Sequence, residues 1–213
     1  IDRAGGTGLN ASTSSDGTRY YYNLPSNKAE LWFSLESGRF LNPVLREFYV
    51  EKDVVMEERR TRVGSQPFGR LLEEFLAAAF KAHPYGEPTI GHMSDLETMT
   101  RDEAREFFET YYGANNLTIA IVGDVDPDQM RRLAETYFSR LSERPEPPAV
   151  ETEEPEQIGE RRVIIRERSQ PLLIMGYHKG SMHSDDAAPF RVISDILGRG
   201  RTSRFHRTLV QDQ

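Results

Sequence analysis

The spacing of apolar and polar residues predicts three helices in the first half of the chain. In "SNKAELWFSLESGRF", Asn27 and Glu30 have the spacing of a capping box, in which each side chain satisfies a terminal amide. Gly38 is the expected stop of this helix. A second helix is predicted from Pro43 to about Val63, and a third over residues 68–80, where apolar side chains form one stripe.

Short apolar runs predict several strands. For "LNAST", which follows a Gly-rich turn, a short strand and a flexible Gly- and Ser-rich loop both fit the pattern. The aromatic run "TRYYYNLP" (18–25) ends at a proline, as a strand does. "LTIAIVGDVDP" (117–127) is predicted to be a buried strand, and "RRVIIRE" (161–167) and "PLLIMGYH" (171–178) are two more. The two early strands precede the first helix and the two late ones precede another.

Capping signals locate the helices of the second half. Thr100 and Glu103 repeat the capping-box spacing, while Asp126 is the expected N-cap of a helix that begins at Pro127. A further helix is predicted over residues 185–197, and another begins in "RTSRFHRTLV". Helices therefore follow groups of strands and do not alternate with them one by one.

This grouping predicts an α+β fold with a largely antiparallel sheet and helices packed on one face. Residues 142–160 are rich in Pro and Glu and nearly free of apolar side chains, which is typical of a linker. After it, the strand–strand–helix order begins again. We therefore expect a first domain over residues 1–141 and a second, homologous domain that starts at 161–213 and is cut short.

Composition excludes several classes of function. The formal net charge is −7 and the cations are dispersed, which argues against a nucleic-acid partner. There are no cysteines, so disulfides and thiolate zinc sites are excluded. No apolar run approaches the length that crosses a membrane. The sequence begins at Ile1 without a start methionine, and we interpret it as a fragment or a processed piece.

Two glutamates in "EKDVVMEERR" are the candidates for chemistry. Glu51 and Glu58 lie seven residues apart, on nearly the same helix face, with Val54 and Val55 between them. A glutamate on a helix is ordinarily a solvated surface residue. If this face is buried, both carboxylates need a cation, a donor or a metal. Residue chemistry alone leaves the function open at this point.

The histidines do not complete a metal site by their spacing. None of the five forms an i, i+4 pair, so helix geometry predicts no two-histidine site. His178 and His183 lie five apart across a turn, for which an ordinary loop is the better interpretation. Phosphate-binding and acyl-enzyme motifs are also absent from the sequence.

The order of blocks along nearly the whole chain resembles the pitrilysin/insulinase family of zinc metallopeptidases, which includes bacterial processing proteases and the mitochondrial processing peptidase. The blocks are "GGTGLNASTSSDGTRYYYNLP", "ELWFSLESGRFLNP", "EKDVVMEERR", "HPYGEPTIG", "DLETMTRDEAREFFETYYGANNLTIAIVGDVD" and, after the linker, "PLLIMGYH". The family's histidine motif H-x-x-E-H provides two zinc ligands and the general base. That motif does not occur in these 213 residues.

The resemblance assigns roles to five residues. Glu58 matches the third zinc ligand of the family, and Glu51 matches an acid that supports it from outside the ligand set. Asn10, Ala11 and Ser12 match a strand that pairs with the extended substrate along the active-site chamber. The catalytic general base is expected upstream of this chain, so no catalytic residue is assigned within it.

The resemblance implies part of a zinc-dependent metalloendopeptidase that hydrolyses peptides or unfolded proteins in a chamber between two homologous halves. Without the histidine motif, this chain alone is expected to be inactive and free of zinc. The alternative is a non-catalytic scaffold or peptide-binding subunit that pairs with an active partner. A homo-oligomer or a paired homologous subunit is expected, because an open sheet edge seeks a partner. The compartment is expected to be the bacterial periplasm or the cytoplasm, with the periplasm favoured.

Overall fold

The structure, a computed structural model, describes residues 1–211. The chain divides into two units, Ile1–Gln170 and Pro171–Gln213. Within the described residues, the first unit contains a two-stranded antiparallel sheet and six α-helices, and the second contains two α-helices. The predicted α+β class is therefore confirmed. None of the helices in residues 1–211 is both long and apolar enough to span a bilayer.

The sheet is a hairpin of β1 (Thr7–Ser14) and β2 (Gly17–Asn23). Three consecutive tyrosines and a threonine, which favour extended backbone, lie in β2, and β1 contains two threonines. The register places Ala11 opposite Tyr20 and is interrupted by an irregularity between Thr7 and Asn10. Gly8 lies in that irregularity with a φ of +67°, a left-handed conformation that glycine adopts without a steric penalty.

Six α-helices follow the hairpin in the described part of the first unit. In chain order they are α1 (Ala29–Leu41), α2 (Phe48–Arg59), α3 (Pro67–Ala79), α4 (Met93–Thr98), α5 (Arg101–Tyr111) and α6 (Pro127–Phe138). The second unit contains α7 (Ala187–Gly198) and the short α8 (Arg204–His206). A π-helical turn, Arg60–Gly64, continues α2.

An aromatic cluster packs α1 against α6. Phe33 is 1% exposed, and its ring lies 5.1 Å from that of Trp32 and 6.1 Å from that of Phe138. The hydroxyl of Tyr137 donates to Glu30 across the same interface at 2.9 Å. Burial of rings of this size dominates the energetics of a small core, so this contact orients α1.

The capping signals of the second half are confirmed. Thr100 accepts from the backbone N–H of Glu103, and the Glu103 carboxylate accepts from the Thr100 N–H at 2.7 Å. Asp126 accepts from the N–H of Gln129 at 2.8 Å, and Pro127 is the first helical residue.

Three predictions about the early helices are wrong in detail. α1 starts at Ala29 without a side-chain cap, because the chain enters it through a 3-10 turn over Ser26–Lys28. It passes through Gly38 and ends at Leu41. α2 begins at Phe48 and not near Pro43, because Leu45 has a φ of +46° and breaks any continuous helix. The short α4 was not predicted.

The strands predicted at 117–127, 161–167 and 171–178 are also wrong. Leu117 has extended dihedrals, with φ −114° and ψ 126°, yet these segments are not paired with another strand. Within the described residues the sheet consists of β1 and β2 alone, so it is smaller than the predicted one. Apolar alternation selects an extended backbone, whereas a strand also needs a neighbour that takes its N–H and C=O groups.

Candidate functional site

α2 carries both candidate acids at its two ends. Glu51 lies in the first turn, where its backbone N–H donates to the carbonyl of Glu47 at 3.0 Å. Glu58 lies in the last turn. Seven residues of helix separate their Cα atoms by about 10 Å along the axis. A carboxylate near an N-terminus is favoured by the helix dipole, so Glu51 suits its position, whereas Glu58 needs a cation.

The face between these acids is not buried in this structure. Glu51 is exposed, Val54 is 56% exposed and Val55 is half-buried. Burial therefore does not force the Glu51 carboxylate to find a partner. The sequence predicted that these carboxylates need a partner if the valine-flanked face is buried. That face is not buried here, so the condition does not hold.

Glu58 pairs with a cation from its own chain. Its carboxylate lies 2.8 Å from a guanidinium nitrogen of Arg62, four residues on, and its side chain is 37% exposed. Arg62 belongs to the π-helical turn that continues α2, and such turns often occur at functional sites. A pair of this kind contributes about 0.3–0.5 kcal/mol, so another cation can displace Arg62.

The end of α2 is fixed to α3 by a buried ion pair. Arg59 donates from both terminal nitrogens to the two carboxylate oxygens of Glu73, each at 2.9 Å. The Arg59 side chain is 10% exposed. A bidentate geometry restrains orientation as well as distance. Because Glu58 precedes Arg59 directly, the pair also restrains the backbone that carries Glu58.

The described residues do not fit a zinc ion by themselves. Within residues 1–211 no cluster of three or more His, Cys, Asp or Glu side chains has a geometry that could hold a metal. Zinc sites in proteins take three or four such ligands, usually with histidine or cysteine among them. Glu58 offers one carboxylate, and His92 pairs with Glu87 at 2.9 Å elsewhere in the chain.

The candidate substrate segment lies on an exposed strand. Asn10, Ala11 and Ser12 lie in β1 and are all exposed. One edge of β1 pairs with β2, and within the described residues no strand pairs with the other edge. The Asn10 side-chain oxygen accepts from the Ala11 N–H at 2.8 Å. This local bond satisfies one donor of β1 and limits its pairing with a stray strand.

An aromatic cavity of about 730 Å³ adjoins β2. Tyr20 of β2 and Tyr112, which follows α5, line it, and their hydroxyls share a hydrogen bond of 2.6 Å. Desolvation, and then the bond to Tyr112, raises the pKa of Tyr20. This cavity was not predicted from the sequence. Its signal was present in the aromatic runs "TRYYY" and "EFFETYY".

Two family models together cover nearly the whole chain. Residues 1–93 match the model described as insulinase, peptidase family M16, and residues 98–213 match the model described as the peptidase M16 inactive domain. The curated relatives include a zinc protease, PqqE, from Helicobacter pylori, which is 33% identical over 99% of this chain and 48% of its own length. A mitochondrial-processing peptidase subunit beta from Lentinula edodes is 26% identical over 91% of this chain and 43% of its own length.

Solved structures agree with these matches. A protease from Helicobacter pylori superposes with a TM-score of 0.84 at 29% identity, covering 99% of this chain and 52% of that one. The first half of the periplasmic protease PqqL from Escherichia coli has the same fold over 66% of this chain and 31% of its own, with a TM-score of 0.57 at 23% identity. This chain spans about half the length of the curated relatives it matches. From the two family models and the relatives called zinc proteases, the chain belongs to the insulinase family of peptidases, peptidase family M16.

Proposed function

We propose that this chain is part of a zinc-dependent metalloendopeptidase that hydrolyses peptides in a chamber between two homologous halves. The observation that carries the proposal is the match to a zinc protease over 99% of this chain at 33% identity. The proposed domains are residues 1–141 and 161–213, joined by a linker over 142–160. A periplasmic or cytoplasmic location stays a prediction, as does self-association.

In this proposal Glu58 donates one carboxylate oxygen to zinc and Glu51 supports it. Three features of α2 favour this role for Glu58: its half-buried position, a weak partner in Arg62, and a backbone restrained by the Arg59–Glu73 pair. Because residues 1–211 offer too few ligands, the others have to come from outside them. The chain by itself is predicted to remain inactive and free of zinc.

The proposed substrate contact is strand addition at β1. An extended peptide would pair with the backbone of Asn10, Ala11 and Ser12 on the edge that β2 leaves open. Pairing through backbone groups selects for an extended substrate conformation more than for a particular substrate sequence. The proposed substrates are therefore extended peptides and unfolded chains. The Asn10 side chain has to turn away from the Ala11 N–H before a peptide can take that donor.

A non-catalytic scaffold or peptide-binding subunit is the second candidate. One observation favours it, since the model that matches residues 98–213 describes an inactive domain. Such a subunit would bind extended peptides at β1 and leave hydrolysis to a partner.

The test uses the complete product of the gene that encodes this chain. Bound zinc is measured by mass spectrometry, and hydrolysis is followed with a quenched fluorescent peptide. We expect Glu58→Gln to lower zinc affinity and hydrolysis by more than about a hundredfold, and Glu51→Gln by about tenfold to a hundredfold. Glu57→Gln is the matched control, because Glu57 lies on the same helix and forms an exposed ion pair with Arg60. It should match the wild type.

The outcomes separate the two candidates. A wild-type protein that binds extended peptides but neither binds zinc nor hydrolyses peptides would establish the scaffold role. Full zinc binding by Glu58→Gln would remove Glu58 from the ligand set while leaving the peptidase proposal in place.

A further inference from the structure

Glu154, within the Pro/Glu-rich segment, is bound by three consecutive backbone amides. Its carboxylate accepts from the N–H groups of Lys81, Ala82 and His83 at 2.7, 2.8 and 3.0 Å. Its side chain is 11% exposed, although Glu is among the least buried residue types. Three convergent amides form an anion-binding concavity, and here the chain's own side chain occupies it.

Arg161 reinforces the same attachment. Its Nη1 donates to the carbonyls of Ala78 and Ala79 at 2.9 and 2.8 Å, which are carbonyls in the last turn of α3. The same nitrogen lies 3.5 Å from the Glu154 carboxylate. A cation at the C-terminus of a helix is favoured by the helix dipole. The end of α3 therefore binds the 154–161 segment through both the carbonyls of its last turn and the amides that follow it.

A second attachment lies near the other end of α3. Arg70, in the first turns of this helix, donates from Nε to Glu167 at 3.0 Å and also pairs with it through Nη2. The same guanidinium donates to the carbonyl of Val63 at 3.0 Å. Residues 154–167 are thus held at both ends by one helix, and Val163, Ile164 and Ile165 between them line a cavity of about 640 Å³ beside α2 and α3.

We infer that residues 154–167 form a strap, fastened to α3 at two points, that can be released from its Glu154 end without unfolding the rest of the first unit. The two fastenings are separate ion clusters on opposite ends of α3, so loss of one leaves the other in place. This inference goes beyond the proposed function and does not depend on zinc.

The strap limits how much of the predicted linker, residues 142–160, can act as a flexible connection. A flexible connection would leave residues 142–160 loosely tethered along their length, whereas the strap holds the chain from Glu154 to Glu167 against α3. α3 also holds α2 through Glu73, so the strap and the backbone of Glu58 share one support.

The test compares Glu154→Ala with Glu153→Ala in the 213-residue chain. Glu153 is an exposed neighbour in the same segment and serves as the matched control. In Glu154→Ala we expect the amides of residues 81–83 to exchange at least about tenfold faster by NMR. Trypsin should cut after Arg161 and Arg162 at least about tenfold faster, because release frees both side chains and backbone.

The second attachment, between Arg70 and Glu167, predicts different cleavage rates for variants that lose one attachment or both. Cleavage after Arg166 should rise much less in Glu154→Ala than in the double variant Glu154→Ala/Glu167→Ala, which loses both attachments. Equal exchange and equal cleavage in the Glu154→Ala and Glu153→Ala proteins would overturn the strap. So would loss of amide protection in α5 of Glu154→Ala, because the residue would then support the whole unit. Glu154→Gln, which keeps the shape and removes the charge, should fall between the wild type and Glu154→Ala.

Discussion

Among single residues, Arg59 shows how a buried charge is accommodated next to Glu58. Its buried guanidinium has both terminal nitrogens bonded to Glu73, so its burial leaves no unpaired charge. Removing one partner would leave the other uncompensated, and that loss is far more costly than removal of both.

We therefore predict that Arg59→Met lowers the free energy of unfolding by about 3 kcal/mol. The double variant Arg59→Met/Glu73→Leu should regain most of that loss, since an apolar pair of similar volume replaces the ion pair. Urea unfolding of the single and double variants measures the coupling. Strictly additive effects would mean that the two side chains do not depend on each other.

The contacts of Glu154 predict that the free energy of unfolding depends on pH. Desolvation alone would raise its pKa, but the bonds from His83, Ala82 and Lys81, together with the charge of Arg161, outweigh it and lower the pKa from 4.5 to about 2. A carboxylate with a depressed folded-state pKa stabilises the fold above its unfolded pKa, and this contribution is lost as pH falls towards the folded one.

The stability difference between wild type and Glu154→Gln should accordingly be largest at pH 5 and above. It should shrink between about pH 4.5 and pH 2. Urea unfolding at several pH values measures it, with Glu153→Gln as control. A difference that is constant down to pH 2 would contradict the assigned hydrogen bonds.

Among the helices, two that share the capping-box spacing differ in whether a side-chain cap forms. Thr100 and Glu103 form a complete capping box at α5, whereas Asn27 makes no cap for α1. The chain reaches α1 through the 3-10 turn Ser26–Lys28, and Glu30 accepts a bond from Tyr137 of α6. The local spacing was the same, and the tertiary contact to α6 decided between the two.

Thr100→Ala should therefore cost about 1 kcal/mol of unfolding free energy, while Asn27→Ala should change it by less than about 0.5 kcal/mol. Thermal unfolding of the two variants makes the comparison. Equal destabilisation would show that Asn27 caps α1 in solution after all.

Over the whole chain, the two units differ in how much apolar surface their helices bury. The first contains Phe33 at the centre of an aromatic cluster. In the second, α7 has no buried residue and exposes Phe190, Ile193 and Ile196. A helix draws most of its stability from packing of its apolar face, so α7 has less to hold it.

We predict that α7 amides exchange at least about tenfold faster than those of α1 under native conditions. Hydrogen exchange followed by mass spectrometry compares the two helices in one sample, so differences in preparation cancel. Equal protection would mean that the apolar face of α7 is covered in solution, and a concentration series would then show whether a second copy covers it.

Most of the helices, the two early strands, the α+β class and the family could be predicted from the amino-acid sequence. These features depend on local periodicity, capping spacing and the order of blocks, all of which can be read along one dimension. It also singled out Glu58 and Glu51 by resemblance, although their roles stay predictions.

The partners of individual side chains, in contrast, are defined by the folded chain. The pairing of Arg59 with Glu73 and the attachment of Glu154 to residues 81–83 both depend on segments that are separated in sequence. Hydrogen bonds and ion pairs act over about 3 Å, so the chain has to fold before any of them is defined.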